Sequence, residues 1–513
     1  MEPQSQFPFS PVDLFRTLTG LITPMGVQGS GGELFKGAIF GRDSLRVALD
    51  LLPWFPSLGE MVIFSLAQYQ STQAIPVADA KRAGQIPHEI RSLFVGSRKV
   101  GKGPQEILAD LSAKWGGSDQ LVVQYGSADA TPQFVRLVAA YCRRHGREIL
   151  DEKLRRTDGT VLTLRDVVHA AASWTEKEVQ VGERPLLGFQ RTNREHGHRW
   201  QILQDGATSI IHTDGHLANA DARVETIGLQ GLAYDCLLDA AELLDDGQGD
   251  ASRWRELASS LQAATFEAFW MPEERMFGMA IDRDPADGTT PRLIRTLSAI
   301  ATELLETRIF DSLPEDEQGR YVSGIVGMAH GPEFLTPAGI RSRGLRHLDL
   351  LPYPDYHGVL TCWGVTNSVY AAGLARQGLH ALRQDITTRH VGMLAAAGAL
   401  YEFLYVDAHG SVRHPLLERT PSTPEDEVIY GTNRPETDQG WTVSFVLRAA
   451  LEAGEAALPP PSSAPWQDAL TDTIAKTATL RSGFGGGHDA MRPGYLDRET
   501  ARERETAYIA SEI

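Results

Sequence analysis

Cysteine is nearly absent from this chain: there are three, Cys142, Cys236 and Cys362, in 513 residues. No CxxC pair occurs, which argues against a structural zinc site. Each cysteine lies in or beside an apolar run, so buried thiols in a reducing cytoplasm are expected, not disulfides or a nucleophile. Long apolar runs are missing too. No stretch of about 18 apolar residues appears, so no transmembrane helix is expected. The first residues, Met1-Glu2-Pro3-Gln4-Ser5-Gln6, lack the basic and apolar regions of a secretory signal. Positive charge is scarce: 49 Lys and Arg stand against 66 Asp and Glu, a net charge of −17. That balance argues against nucleic acid and anionic membranes as partners. The glycine-rich stretch Gly483 to His488 is followed by no GK[ST], so it is no phosphate loop.

What is present is helical periodicity. Leu45, Ala48, Leu49 and Leu52 share one face, as do Phe134, Leu137, Val138 and Tyr141. The same spacing recurs through Leu229, Leu232, Ala233, Cys236, Leu237 and Ala240, then Leu257, Leu261 and Ala264. It returns at Val369, Ala372 and Gly373, and at Trp441, Phe445 and Ala449. Strand-like alternation is limited to short pieces such as Arg275–Ile281 and Phe403–Val406. Hydrophobic residues make up 42% and charged residues 22%, ordinary for a globular chain with a large core. The expected fold class is all-α, with short β excursions in loops. Some loops cluster Gly, Asp, His, Arg and aromatics while others are bland, as in a ring of helix hairpins with one functional face. The expected organisation is a lead-in over 1–34, a catalytic domain over 35–457, and a Pro-rich linker with an appendage over 458–513. Leu458-Pro459-Pro460-Pro461 marks the last boundary.

Candidate chemistry sits in those richer loops. Arg42 and Asp43 lie in Phe40-Gly41-Arg42-Asp43-Ser44. A charged donor beside a charged acceptor can clamp adjacent hydroxyls, although Asp43 near a helix start could equally serve the helix dipole. His88 and Glu89 close Gln85-Ile86-Pro87-His88-Glu89, where a simple turn is the plainer alternative. Tyr125 and Asp129 frame a Pro132 helix start, and Asp129 could cap it. Asp205, Asp214 and Glu225 flank a Gly-, Ser- and Thr-rich loop before a helix. Two carboxyl groups on opposite faces of a scissile bond are what glycoside hydrolysis needs, but spacing alone does not choose between these acids. Glu402 is unusual because it sits in the apolar run Leu400-Tyr401-Glu402-Phe403-Leu404, where an unpaired carboxylate is costly.

In order, these phrases resemble those of the amylo-α-1,6-glucosidase (glycogen debranching) domain family. The likeness runs from about residue 35 to 455. It rests on Phe40–Ser44, Gly84–Glu89, Tyr125–Pro132, Gln204–Gly231, Glu267–Trp270, Tyr356–Asn367, Tyr401–Phe403 and Gln439–Trp441. The resemblance implies an (α/α)6 toroid and an inverting hydrolase, with Asp205 as general acid and Glu402 as general base. It implies that Arg42 and Asp43 grip the glucose. The other substrate-contact candidates are Phe40, His88, Glu89, Tyr125, Asp129, Glu225, Gln230, His357, Trp363, Gln439 and Trp441. No metal or organic cofactor is expected; the expected partner is a small carbohydrate, and a homo-oligomer is compatible with the sequence.

Leu203, Gln204 and Gly206 replace the Trp, Lys and Ser of the family's phrase. A short α-glucoside or glucosylated solute is therefore expected in preference to glycogen. A phosphorylase on the same toroid and a non-catalytic sugar-binding scaffold are the alternative classes.

Overall fold

The computed structural model describes residues 7–31, 35, 38–95, 98–99, 101–245, 249–351, 355–406, 412–413 and 435–455. The linker and appendage expected over 458–513 lie outside the described residues. The helices are α1 (Pro11–Leu21), α2 (Gly41–Leu51), α3 (Pro56–Ala67), α4 (Lys102–Trp115), α5 (Ala130–His145) and α6 (Leu164–Val179). They continue as α7 (Ile227–Leu243), α8 (Asp250–Phe269), α9 (Glu315–Ala329), α10 (Gly364–Arg376), α11 (His380–Ala397) and α12 (Gly440–Glu455). A 3-10 helix covers Ala299–Glu306.

Packing closes a cycle. α2 packs on α5, α5 on α7, α7 on the 3-10 helix, that helix on α10, α10 on α12, and α12 back on α2. A second set flanks it: α3 against α2, α6 against α5, α8 against α7, α9 against the 3-10 helix, α11 against α10 and α1 against α12. Sequence composition follows this division. Inner α7 is buried almost all round, from Ile227 to Leu243. Outer α8 buries a single stripe, Ala251, Trp254, Ala258, Leu261, Thr265 and Phe269. An enclosed helix must be apolar on every side, whereas a flanking one needs one apolar face. The stretch read as a lead-in contains α1, whose Leu14, Phe15, Leu18 and Leu21 join the same core. Its apolar stripe makes it an outer member of the assembly.

Short sheets precede inner helices. Ala38–Phe40, Glu89–Ser92 and Leu121–Gln124 form one; Glu225–Thr226, Ala280–Arg283 and Pro291–Ile294 another; Thr361–Trp363, Phe403–Val406 and Val412–Arg413 a third. Their strands run directly into α2, α7 and α10, so they fix where those helices begin. The three cysteines are free and buried. Burial pushes Cys142 and Cys362 up to about 11 and Cys236 up to about 12, so all three stay neutral thiols near pH 7. Among the described residues no helix is long and apolar enough to cross a membrane.

Candidate active site

The site forms where inner helices begin. Phe40 lies opposite Glu89 in the first sheet, and α2 starts one residue later. Gly41 donates its N–H to the His88 carbonyl at 2.9 Å. A Cβ at this position would meet the Pro87 carbonyl at 2.0 Å, so only glycine lets the two segments approach. The first turn of α2 then presents Arg42 and Asp43, both buried.

Arg42 ties three segments together. Its Nη1 donates to Asp129 Oδ2 at 3.1 Å and its Nη2 to Asp205 Oδ2 at 3.1 Å. Nη2 also donates to His88 Nδ1 at 3.3 Å. Asp129 precedes α5 and is further held by the Ser127 hydroxyl. Burial opposes the guanidinium charge, but Asp129, Asp205 and Asp43 more than offset it, so Arg42 remains cationic.

Asp205 follows a tight turn in which its N–H donates to the Leu203 carbonyl at 3.0 Å. Its side chain is 31% exposed, against 5% for Arg42, so it faces open space. His357 Nε2 lies 3.7 Å from Oδ1. Burial raises the carboxyl, but the neighbouring His357 and Arg42 outweigh it and hold Asp205 below the ordinary carboxylate range.

Glu402 is in the opposite condition. It is buried, accepts from the Tyr356 hydroxyl at 2.6 Å, and accepts from the Glu436 N–H at 3.3 Å. Desolvation dominates those contacts and pushes it up to about 8. Asp43 is pushed up to about 7 by burial, against the pull of Arg42. The Asp205 charge acts on Asp43, and that of Asp43 acts on Glu402, so Asp43 links the two electrostatically. Gln439, just before α12, bonds the Asp43 side chain.

An aromatic wall stands beside Glu402. Trp363 stacks on His357 at 4.1 Å and on Phe403 at 4.9 Å, and meets Trp441 edge-on at 6.1 Å. Tyr356 packs edge-on against Trp363 at 4.6 Å. Phe40 touches His88 edge-on at 5.7 Å. Trp363 and Phe403 are fully buried, so Trp363, expected as a substrate contact, instead packs into the apolar backing of Glu402.

Four more of the sequence-derived contacts do other work. Glu225 is held by Arg283 at 2.8 Å and Arg223 at 2.9 Å, and lines a separate groove of about 520 Å³ with Arg184 and Asp221. Gln230 is saturated by the backbone of Leu187 and Thr226. Tyr125 donates to the Tyr69 carbonyl at 2.7 Å. Buried polar groups need partners, and for these three the partners are structural. Glu89 is bonded by Arg91. With His88 and His198 it forms a group of ligand atoms within 4.8 Å of one another. Arg42 can only donate, so His88 Nδ1 is the acceptor and its Nε2 carries the hydrogen. A metal there would require His88 to leave Arg42.

His198 and Glu303 adjoin the site and were not singled out by sequence reading, whereas Tyr356 and Glu436 open phrases read as candidates without a role of their own. Tyr356 adjoins His357, so adjacency was the available signal. The carboxyl of Glu303 meets Gln204, a contact 99 residues away that no local pattern announces.

No family model matches the chain, and no curated protein matches it by sequence. Solved structures do match. The GH63 mannosylglycerate hydrolase from Thermus thermophilus in complex with glucose superposes with a TM-score of 0.55 at 14% identity, covering 86% of this chain and 100% of that one. In complex with Tris and D-glycerate, the same hydrolase gives a TM-score of 0.54 at 14% identity, again covering 86% and 100%. The chain therefore has the fold of this glycoside hydrolase.

Proposed function

We propose that the protein is an inverting glycoside hydrolase on an (α/α)6 toroid, releasing glucose from a short α-glucoside or a glucosylated small acid. The observation that carries the reading is the pair Asp205 and Glu402, brought to one site with Arg42 and Asp43 linking them. The shared fold supports it, as does the small acid held by the mannosylglycerate hydrolase. Asp205 protonates the leaving oxygen, and Glu402 takes a proton from the attacking water on the other face. Arg42 and Asp43 hold the glucose hydroxyls.

The test is hydrolysis of α-glucosylglycerate, isomaltose and α-glucosyl fluoride, followed by NMR from the first turnover. β-Glucose is expected as the first product. α-Glucose appearing first, or no glucose from any probe, would sink the reading.

Near pH 7 burial keeps the proton on Glu402, while His357 and Arg42 keep Asp205 ionised. The reactive arrangement places that same proton on Asp205, so it is the minor form of one ionisation state. kcat/KM should be bell-shaped, because the free pair must hold one proton. Activity is expected to fall as pH rises through about 8, where Glu402 loses its proton. The Tyr356 hydroxyl favours the Glu402 anion. Tyr356→Phe should therefore move the alkaline limb to higher pH and lower kcat. A limb that moves down or stays put would contradict this coupling.

A further inference from the structure

Glu303 belongs to neither carboxyl of the pair, yet it reaches the site from the 3-10 helix. It lines a small cavity with Arg42, Asp129, Leu203, Glu306 and Trp441. Its Oε1 accepts from Gln204 Nε2 at 3.2 Å. Gln204 is the middle residue of the tight turn closed by the Leu203 carbonyl and the Asp205 N–H, and it is 8% exposed. An anchor on the middle residue of such a turn orients the residue that leaves it. On its other side Glu303 is seated against the first turn of α7: a Cβ at Gly228 would lie 2.3 Å from Oε2. The carboxyl is thus wedged between α7 and the Asp205 turn.

We propose that Glu303 is a positioning residue for Asp205, acting through the Gln204 side chain. The inference rests on the reading of Asp205 as the proton donor. A displacement near 1 Å at a catalytic group costs about 100-fold in rate, so kcat should suffer and KM should not. Burial, reinforced by Asp129 and Glu306, pushes the Glu303 carboxyl up to about 8. It is therefore neutral near pH 7, and Glu303→Gln is a close mimic that still accepts from Gln204.

The experiment compares Gln204→Ala, Glu303→Ala, their double variant, Glu303→Gln and Asp205→Asn on two probes. α-Glucosyl fluoride has a leaving group that needs little protonation, whereas α-glucosylglycerate has an alkoxide that needs it. Glu303→Ala should lose about 10- to 100-fold in kcat on α-glucosylglycerate and much less on the fluoride. The double variant should be no worse than the poorer single, since both act on one turn. Glu303→Gln should recover most of the rate. Equal losses on both probes, multiplicative singles, or failure of the Gln variant would overturn the inference while leaving Asp205's role intact. If Asp205→Asn itself shows no dependence on the leaving group, the acid assignment falls and the inference with it. Independently of turnover, a crystal structure of Glu303→Ala should show the 203–205 turn displaced; an unmoved turn also overturns it.

Discussion

Asp205→Asn and Glu402→Gln are each expected to lower kcat on α-glucosylglycerate by about 10²- to 10⁴-fold, the usual worth of a positioned acid or base. Both substitutions keep side-chain shape, so the loss isolates proton transfer. Asparagine at 205 can still accept from Arg42, which retains Asp129 as an ionic partner. Glutamine at 402 resembles the protonated group that rests there, and can still accept from Tyr356. What it cannot do is ionise and activate water. The two variants should therefore differ by substrate. Asp205→Asn should be rescued by the good leaving group of α-glucosyl fluoride. Glu402→Gln should not, because its defect lies on the water side. Full activity in both variants on a substrate that the parent cleaves would remove the assignment, and with it the proposed mechanism.

The largest effect on stability is expected at Asp50. Asp50 lies on α2 and is fully buried. It accepts from Arg46, from Arg448 Nη1 at 2.5 Å, and from the hydroxyls of Ser368 and Ser444 at 3.1 and 3.2 Å. Arg46 also grips Glu306 through two bonds of 2.8 and 3.0 Å, and Arg136 joins at 3.1 Å. Arg136 also pairs with Asp235 on α7 at 3.4 Å, so one ionic network links all six inner members. Asp50→Ala would take the bonded carboxylate from the buried Arg448 guanidinium and leave Arg46 with Glu306 alone. Breaking a buried pair from one side costs about 3–5 kcal/mol. The exposed pair Arg16–Asp13 is the comparison, with side chains 75% and 67% exposed. Asp13→Ala should cost under about 1 kcal/mol. Chemical denaturation of both variants checks this, and an Asp50→Ala midpoint no lower than that of Asp13→Ala would contradict the network's role.

Much of the helical framework was legible because hydrophobic periodicity is local. The Leu45, Phe134, Leu229 and Trp441 stripes lie on α2, α5, α7 and α12. The Phe403–Val406 strand was legible for the same reason. Glu402 stood out because a lone acid in an apolar run needs an explanation, and burial with a Tyr356 bond supplies it. Glu225 and Gln230 show where motif reading ran past the physics. They occupy promising phrases, but their hydrogen bonds go to Arg223, Arg283 and backbone groups. Nothing in their neighbours along the chain distinguishes a substrate contact from a structural one.

By itself the sequence determined the helical class, the apolar interior of the inner members, the neutral buried thiols and the acidic balance. All of these depend on residue type and short-range spacing. Tertiary structure alone decided that Arg42 would join Asp129 and Asp205, 87 and 163 residues away. It also decided which carboxyl rests protonated. Ionisation depends on burial and on every charge within reach, and those charges meet only when the ring of helices closes.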